Sequence, residues 1–475
     1  MFTKKPSPLR QLADLISASV DKIDAIFEEK GLEYPDLFTP VDPTSASEVA
    51  ACDPGVLQAA AFAIAACSQL GTMLHAPAIA LNQLALSYHI PSALRFVIET
   101  NCAEILRGQP QGLHVKDIAA PNGVDASRLA RCLRLLAGNH TFKEVSPDVF
   151  ANNRLSSVLD TGETVDELKS RSKEDKYTGT SGIAALYNHV TDETFKMSAY
   201  LTDAFLDPVC GHSDDANKAA LSLAFNTDKS FFEWYEEPGN EHRLRRFGVA
   251  MAGSAKLDAP DAILKGKRFP WNDLPPKSRV VDVGGGLGHI TMAIARQYSE
   301  LQYVVQDRHA VIPDTEKYWR TNFPQALDSG LHDITDPQPI HDAAVFFMRV
   351  VIHDFGRTGA IRILSNLRAS ATPDTKLVLI EQIVPYACPY NDVSGHPVAG
   401  TKDLFPSPPP PLVNFGHFTS LGYMLDLQMA CSLNAEERTF GTWVELCRTA
   451  GWNITQVYPI PGSIFSHIVA VPLQD

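Results

Sequence analysis

The chain has 475 residues, 45% hydrophobic and 20% charged, with 55 acidic against 41 basic side chains and a formal net charge of -14. At roughly 100 to 200 residues per domain, this length predicts two to four structural units with cores of ordinary size. The acidic balance argues against broad affinity for nucleic acid or anionic membrane, since both need clustered cations.

The cysteines (Cys52, Cys67, Cys102, Cys132, Cys210, Cys388, Cys431, Cys447) are scattered, without a CxxC pair. A chain this long needs no disulfide staples, so a reduced, cytoplasmic protein without a zinc site is expected. The opening residues, MFTKKPSPLRQLADLISASV, hold no continuous apolar run and predict no secretory signal. Residues 1–110 read as helical, with apolar residues three and four apart in LRQLADLISASVDKIDAIFEEKG. The apolar stretch 56–86 is interrupted by Gln58, Ser68, Gln69, His75 and Pro77. That argues against a membrane-spanning helix and for burial in a core or against a partner subunit.

Residues 111–160 predict a winged helix: a short helix, a turn at Asn122-Gly123, a second helix from Asp125 and a wing turning at Ser146-Pro147-Asp148. Arg128, Arg131 and Arg134 on the second helix keep a DNA-reading role open, against an acidic chain and a wing with little positive charge. Residues 161–272 read as a helical linker whose aromatic cluster, with Phe231, Phe232 and Trp234, fits either a core or a substrate wall. From 273 to 475 strands alternate with helices, which predicts a doubly wound, Rossmann-like α/β domain. A Pro-rich insertion at 388–418 is expected to be extended and exposed. ITQVYPI and FSHIVAVPL close the chain as an antiparallel pair, and no internal repeat is evident.

The chemistry concentrates in the last domain. VVDVGGGLGH sets Gly284, Gly286 and Gly288 directly after a strand, where backbone must turn sharply and approach a ligand without Cβ interference. The loop misses the GxGxxG dinucleotide fingerprint: counted from Gly284 the third glycine is His289, and counted from Gly286 it is Thr291. Asp282, just before the glycines, suits a cationic ligand such as S-adenosylmethionine better than a pyrophosphate. Asp307 at the end of the next strand is placed for ribose hydroxyls, a role common to both cofactor classes. FMRVVIHDF ends a third apolar run on His353 and Asp354. Taken alone, such a pair is more often structural than catalytic.

In their order behind a winged helix, VVDVGGGLGH, VVQDR, FMRVVIHDF, LIEQIVP and NAEERT resemble the S-adenosylmethionine-dependent O-methyltransferases of the plant caffeic-acid and flavonoid type and their fungal relatives of secondary metabolism. The resemblance covers roughly residues 60–475. It implies that His353 is the general base taking the proton of a phenolic acceptor, with Glu381 and Glu437 as flanking carboxylates that orient the imidazole. It implies that Asp282, Gly284, Gly286, Gly288, Asp307 and Asp333 hold the cofactor. Arg349 stands where the family commonly has Lys, and Phe355 where it often has Trp; both are carried over as cofactor contacts. Met251 and Met429 fall where the family grips the acceptor ring between thioethers, with Trp234 and Asp354 as further substrate contacts. The N-terminal helices and winged helix become a homodimer interface, and no metal is required. The alternative is a winged-helix transcriptional regulator with a ligand-sensing methyltransferase-like domain. A regulator has no need of a base with two orienting carboxylates, so the resemblance favours the enzyme.

Overall fold

The computed structural model describes residues 6–257, 262–308, 311–323, 327–331 (backbone only), 333–388, 398–404, 408–460 and 463–474. The chain divides into two compact units, one of Met1–Ala199, Phe231–Leu257 and Pro409–Phe418, the other of Tyr200–Ser230, Asp258–Pro408 and Thr419–Asp475. The stretch 161–272 is thus shared between them.

In the first unit the helix Pro8–Lys30 starts on a Ser7 cap that accepts the Arg10 N–H, and stops at Gly31 with φ 64. It packs along the helix Pro54–Leu74. By length and composition alone Pro54–Leu74 is apolar enough to cross a membrane, a test that the core helix of a soluble protein also passes. Its polar Gln69 is used internally: Nε2 donates to the Pro411 carbonyl at 3.2 Å and Oε1 accepts the Val413 N–H at 3.2 Å. Leu412 is buried with Leu12, Ala65 and Ala66, and Phe415 stacks on Phe62 at 6.1 Å. The described part of the Pro-rich insertion is therefore partly docked rather than wholly exposed, because its apolar residues complete a small core. Residues 389–397 and 405–407 of the insertion lie outside the described residues.

The winged unit takes the expected form with one addition. Gly123 (φ 62) makes the turn, Asp125 caps the helix Ala126–Gly138, and the strands β2 (Lys143–Ser146) and β3 (Val149–Ala151) are joined by a further strand, β1 (Leu113–His114), in the order β1-β3-β2. Arg134 of the second helix is held by Glu144 at 2.9 Å and Asp148 at 2.7 Å, both from the wing. That arginine is one of the three that kept a DNA-reading role open in the sequence; its charge is already matched by carboxylates.

The second unit carries the α/β sheet. Its strands are β4 (Arg279–Val283), β5 (Gln302–Asp307), β6 (Leu327–Leu331), β7 (Ala343–Arg349), β8 (Lys376–Val384), β9 (Arg438–Thr439), β10 (Trp452–Pro459) and β11 (Phe465–Pro472). The main path runs β10-β11-β8-β7-β4-β5-β6, with β9 beside β8. Pairing is parallel from β8 through β6 and antiparallel at β11, where the predicted closing hairpin pairs with β8. Both faces are buried, as parallel sheets require. Val281, Phe346, Met348, Leu377 and Leu379 pack against the helices Arg357–Ala369 and Phe440–Thr449, while Val280, Val345, Phe347, Val378 and Ile380 pack against His289–Gln297 and Trp319. Successive residues face opposite sides, so an unbroken apolar run feeds two cores. Strand order reverses at β4, which has β5 on one side and β7 on the other. That reversal opens a crevice at the strands' carboxyl ends, where α/β sheets bind ligands.

Candidate active site

The glycine loop leaves the carboxyl end of β4. Gly284, Gly286 and Gly288 have φ values of 76, 56 and 70, a region closed to most side chains. The Gly284 and Gly285 N–H groups donate to the Gln306 carbonyl at 2.9 and 3.1 Å. Gly286 N–H donates to Asp307 Oδ2 at 2.8 Å, and Oδ1 accepts the Arg308 N–H at 2.7 Å. Asp307 therefore fixes the loop while its remaining lone pairs stay open to a ligand hydroxyl. A Cβ on Gly288 would lie 2.5 Å from Trp319 Nε1, whereas one on Gly286 would meet nothing within 4 Å.

Asp282 sits beneath this loop. It is 2% exposed and accepts a hydrogen bond from Thr291 Oγ1 in the first turn of the following helix. Burial pushes its carboxyl up to about 7, against the Thr291 hydrogen bond and with the help of Asp307. Two residues that the sequence reading missed brace the loop from the helix Ile312–Asn322. Thr315 Oγ1 donates to the Gly286 carbonyl at 2.7 Å, and Trp319 Nε1 donates to the Leu287 carbonyl at 3.0 Å. Their only signal is four-residue spacing on one helix face. Asp333 is exposed and caps a turn, accepting Thr335 N–H at 2.9 Å and Oγ1 at 2.8 Å. The Arg349 guanidinium lies 5.1 Å from the Phe465 ring centroid, and Phe355 is half-buried against the core.

His353 follows β7 in a short 3-10 turn, Ile352–Asp354. Its Nδ1 is 2.7 Å from Glu437 Oε1, and Nε2 is 3.4 Å from Asp354 Oδ1. Glu381 is also fully buried, but it serves the backbone: Oε1 accepts the Val351 and Ile352 N–H groups at 3.0 and 2.8 Å. The two flanking carboxylates thus act differently, one on the ring and one on the turn beneath it. Glu437 is placed in turn by Asp426, which accepts its N–H at 3.0 Å and was not anticipated. The turn begins with Val350 at φ 55. A β-branched residue there is strained by about 1 to 3 kcal/mol and persists only where its surroundings hold it.

Charge follows from this crowding. Burial disfavours the imidazolium, yet Asp354, Glu437 and Glu381 outweigh it and push His353 up to about 10. Burial pushes Glu381 up to about 7 against the His353 cation, and Asp354 is raised by burial as well.

Met429 is half-buried on the helix Ser420–Leu433, three residues beyond Asp426 and therefore on the same face. Met251 and Trp234 belong to the other unit. Met251 lies exposed on the helix Glu241–Ser254, while Trp234 is buried 5.3 Å from the Tyr235 ring centroid, with the Arg243 guanidinium 5.5 Å from its own. The aromatic cluster is core in the first unit: Phe231 packs edge-on to Tyr235 at 4.6 Å and to Phe247 at 5.5 Å. Among the described residues no group of three or more His, Cys, Asp or Glu is arranged to hold a metal.

The donor set fits S-adenosylmethionine on its chemistry. Left-handed glycines clear the approach, Asp307 offers acceptors to vicinal hydroxyls, and the acidic groups suit a sulfonium better than a pyrophosphate. Comparison with known proteins agrees. Residues 234–392 match the O-methyltransferase domain family and residues 82–162 match the O-methyltransferase dimerisation domain. An O-methyltransferase of Armillaria gallica is 39% identical over 98% of this chain and 100% of its own length. The 4-O-methyltransferase 1 of Phanerochaete chrysosporium is 38% identical over 98% of this chain and all of its own. The crystal structure of OxaC in complex with SAH and oxaline shares the fold, with a TM-score of 0.64 and 19% identity across 98% of this chain and 100% of that one.

Proposed function

The chain belongs to the S-adenosylmethionine-dependent O-methyltransferase family, and from that premise we propose that it methylates a phenolic hydroxyl of an aromatic or polyketide-type small molecule with His353 as general base. The observation that carries this reading is the 2.7 Å hydrogen bond between His353 Nδ1 and Glu437. With Nδ1 bound to a carboxylate, the proton-accepting lone pair is directed to Nε2, and the imidazolium that forms is stabilised.

Bound S-adenosylmethionine supplies an electrophilic methyl group on a sulfonium. The chain's own residues supply the rest. Gly284, Gly286, Gly288 and Asp307 would hold the nucleoside, with Asp333, Arg349 and Phe355 as further contacts and Asp282 bracing the loop. Met429 is assigned to the acceptor, and Asp354 to its hydroxyl beside Nε2. A phenol has an ordinary pKa near about 10, and His353 is pushed up to about 10. In its neutral form the imidazole takes the phenolic proton as the oxygen attacks, and the surrounding carboxylates stabilise the imidazolium that results.

We also read residues 1–160 as a dimerisation region with a winged helix and 273–475 as the catalytic domain, in a homodimer formed through the N-terminal helices. Eight unpaired cysteines are consistent with a reducing cytoplasm. A DNA-binding regulator is disfavoured, because Arg134 on the would-be recognition helix is paired to Glu144 and Asp148.

The test is a screen of phenols and aromatic polyketides by product mass, followed by His353→Ala on the best acceptor. Turnover should fall roughly 100- to 10,000-fold, the range of general-base contributions, with cofactor affinity by calorimetry nearly unchanged. Undiminished turnover would remove His353 as the base.

A further inference from the structure

The buried cation beside the histidine turn is Arg438. It is 1% exposed, a costly place for a charge unless its N–H groups find acceptors. Nη1 donates to the Ile352 carbonyl at 2.9 Å and Nη2 to the Phe355 carbonyl at 2.6 Å. One of these carbonyls lies directly before His353 and the other two residues after it, so the guanidinium brackets the base. Nε lies 3.0 Å from Glu436 Oε1, and the guanidinium carbon is 5.3 Å from the Trp443 ring centroid.

The opposite side of the same turn is held by Glu381, which takes the Val351 and Ile352 N–H groups. A turn entered through a left-handed valine relaxes unless both sides are held. The ring's partner, Glu437, directly precedes strand β9, which provides the other side of the turn's support. Its Arg438 is registered on Ile383 of β8, and successive residues of an extended chain point opposite ways. Glu437 therefore reaches the imidazole while Arg438 reaches the backbone around it.

We propose that Arg438 is a positioning residue for methyl transfer: by gripping the carbonyls of Ile352 and Phe355 it sets the His353 ring against Glu437 and aims Nε2. The role suits a guanidinium, whose planar fork presents two N–H groups in fixed geometry, which an ammonium does not. It rests on His353 being the base.

The experiment compares full-length Arg438→Lys, Arg438→Ala and His353→Ala with the unaltered enzyme. Arg438→Lys should lower kcat roughly 10- to 100-fold, as small misplacements of reacting groups do. Acceptor KM and cofactor Kd should hold within about threefold, and the acid limb of the kcat pH profile should move, because Glu437, Asp354 and Glu381 no longer sit at the same distances from the ring. Guanidinium ion at low concentration should restore part of the activity of Arg438→Ala. A lysine variant with unchanged kcat and pH profile overturns the proposal. So does a parallel collapse of Tm, kcat, KM and cofactor binding, which would assign Arg438 to folding alone. His353→Ala is read with Arg438 intact, so retained turnover there identifies failure of the base assignment itself, and the positioning role falls with it.

Discussion

His353 is set by three carboxylates, and its ionisation is therefore a measurable consequence of geometry. Its folded pKa is raised to about 10, so the neutral, proton-accepting form grows as pH rises. We expect kcat/KM to climb between pH 7 and 9, and a nitrophenol-type acceptor that is already ionised to flatten that climb. A profile that ignores the acceptor's pKa would contradict proton transfer to His353. Glu437→Gln removes the charge at 2.7 Å and should bring the apparent pKa down toward 6.5, with a lower kcat because the ring loses its anchor. The linkage sign is fixed as well. A raised folded pKa adds stability that is complete below the unfolded value near about 6.5 and is lost as pH rises through about 10. The Tm advantage over His353→Gln should therefore shrink as pH increases. The convergence of His353, Glu381 and Glu437 was legible because ordered motifs carry them. What Glu381 does was not, since a strand-end carboxylate in sequence looks the same whether it meets a ring or a backbone. Val350 was illegible for a stronger reason: its φ of 55 opposes the preference of a β-branched residue, so tertiary contacts alone impose it.

At the scale of elements, the glycine loop depends on a helix that its motif does not announce. Gly288 is needed twice over, for its φ of 70 and because a Cβ would strike Trp319 and Val305. Gly288→Ala should weaken cofactor binding at least tenfold by calorimetry and lower Tm, since a left-handed conformation costs an alanine about 1 to 2 kcal/mol before any clash. Trp319→Phe deletes the hydrogen bond to Leu287 O and leaves a void in the core that the indole fills; a loss of about 1 to 4 kcal/mol in stability is expected. If Trp319→Phe instead left both stability and cofactor affinity untouched, the helix Ile312–Asn322 would not be bracing the loop. The strand-loop-helix around Gly284 was readable from the local string, because glycines after an apolar run have few other uses. The brace was not, because Thr315 and Trp319 are about thirty residues away and carry no motif. β9 was equally hidden: two residues give no periodicity, and the pairing with β8 alone makes them a strand. The Pro-rich segment was misread for a related reason. Composition predicts exposure, but Leu412 finds a place among Leu12, Ala65 and Ala66.

For the whole molecule, the feature of largest physical consequence is the first unit's exposed apolar surface. The helix Pro77–Ala85 buries none of its residues, although seven of its nine are apolar or proline. Leu81 and Leu84 are 65% and 70% exposed, and Leu74, Ile79, Leu86 and Tyr88 beside them are exposed too. Each fully buried leucine is worth about 1.5 to 3 kcal/mol, so leaving this face in water is a substantial loss, and we propose that a partner subunit recovers it. The dimerisation-domain match begins at residue 82, within this helix, and the net charge of -14 opposes indiscriminate association, whereas a matched apolar face would still let two copies pair. The sequence marked residues 56–86 as apolar and proposed a partner, but periodicity could not separate a face that packs internally from one that packs between subunits. Pro54–Leu74 packs in part internally, against Pro8–Lys30 and the Leu412 segment; Pro77–Ala85, which buries none of its residues, is the face we propose for the partner. Leu81→Asp combined with Leu84→Asp should convert a dimer into a monomer by sedimentation velocity at micromolar protein. Because association stabilises the folded state by mass action, the unaltered enzyme's Tm should rise with protein concentration and the double variant's should not. A double variant that sediments as a dimer, with the same concentration dependence, would place the interface on another face of the first unit.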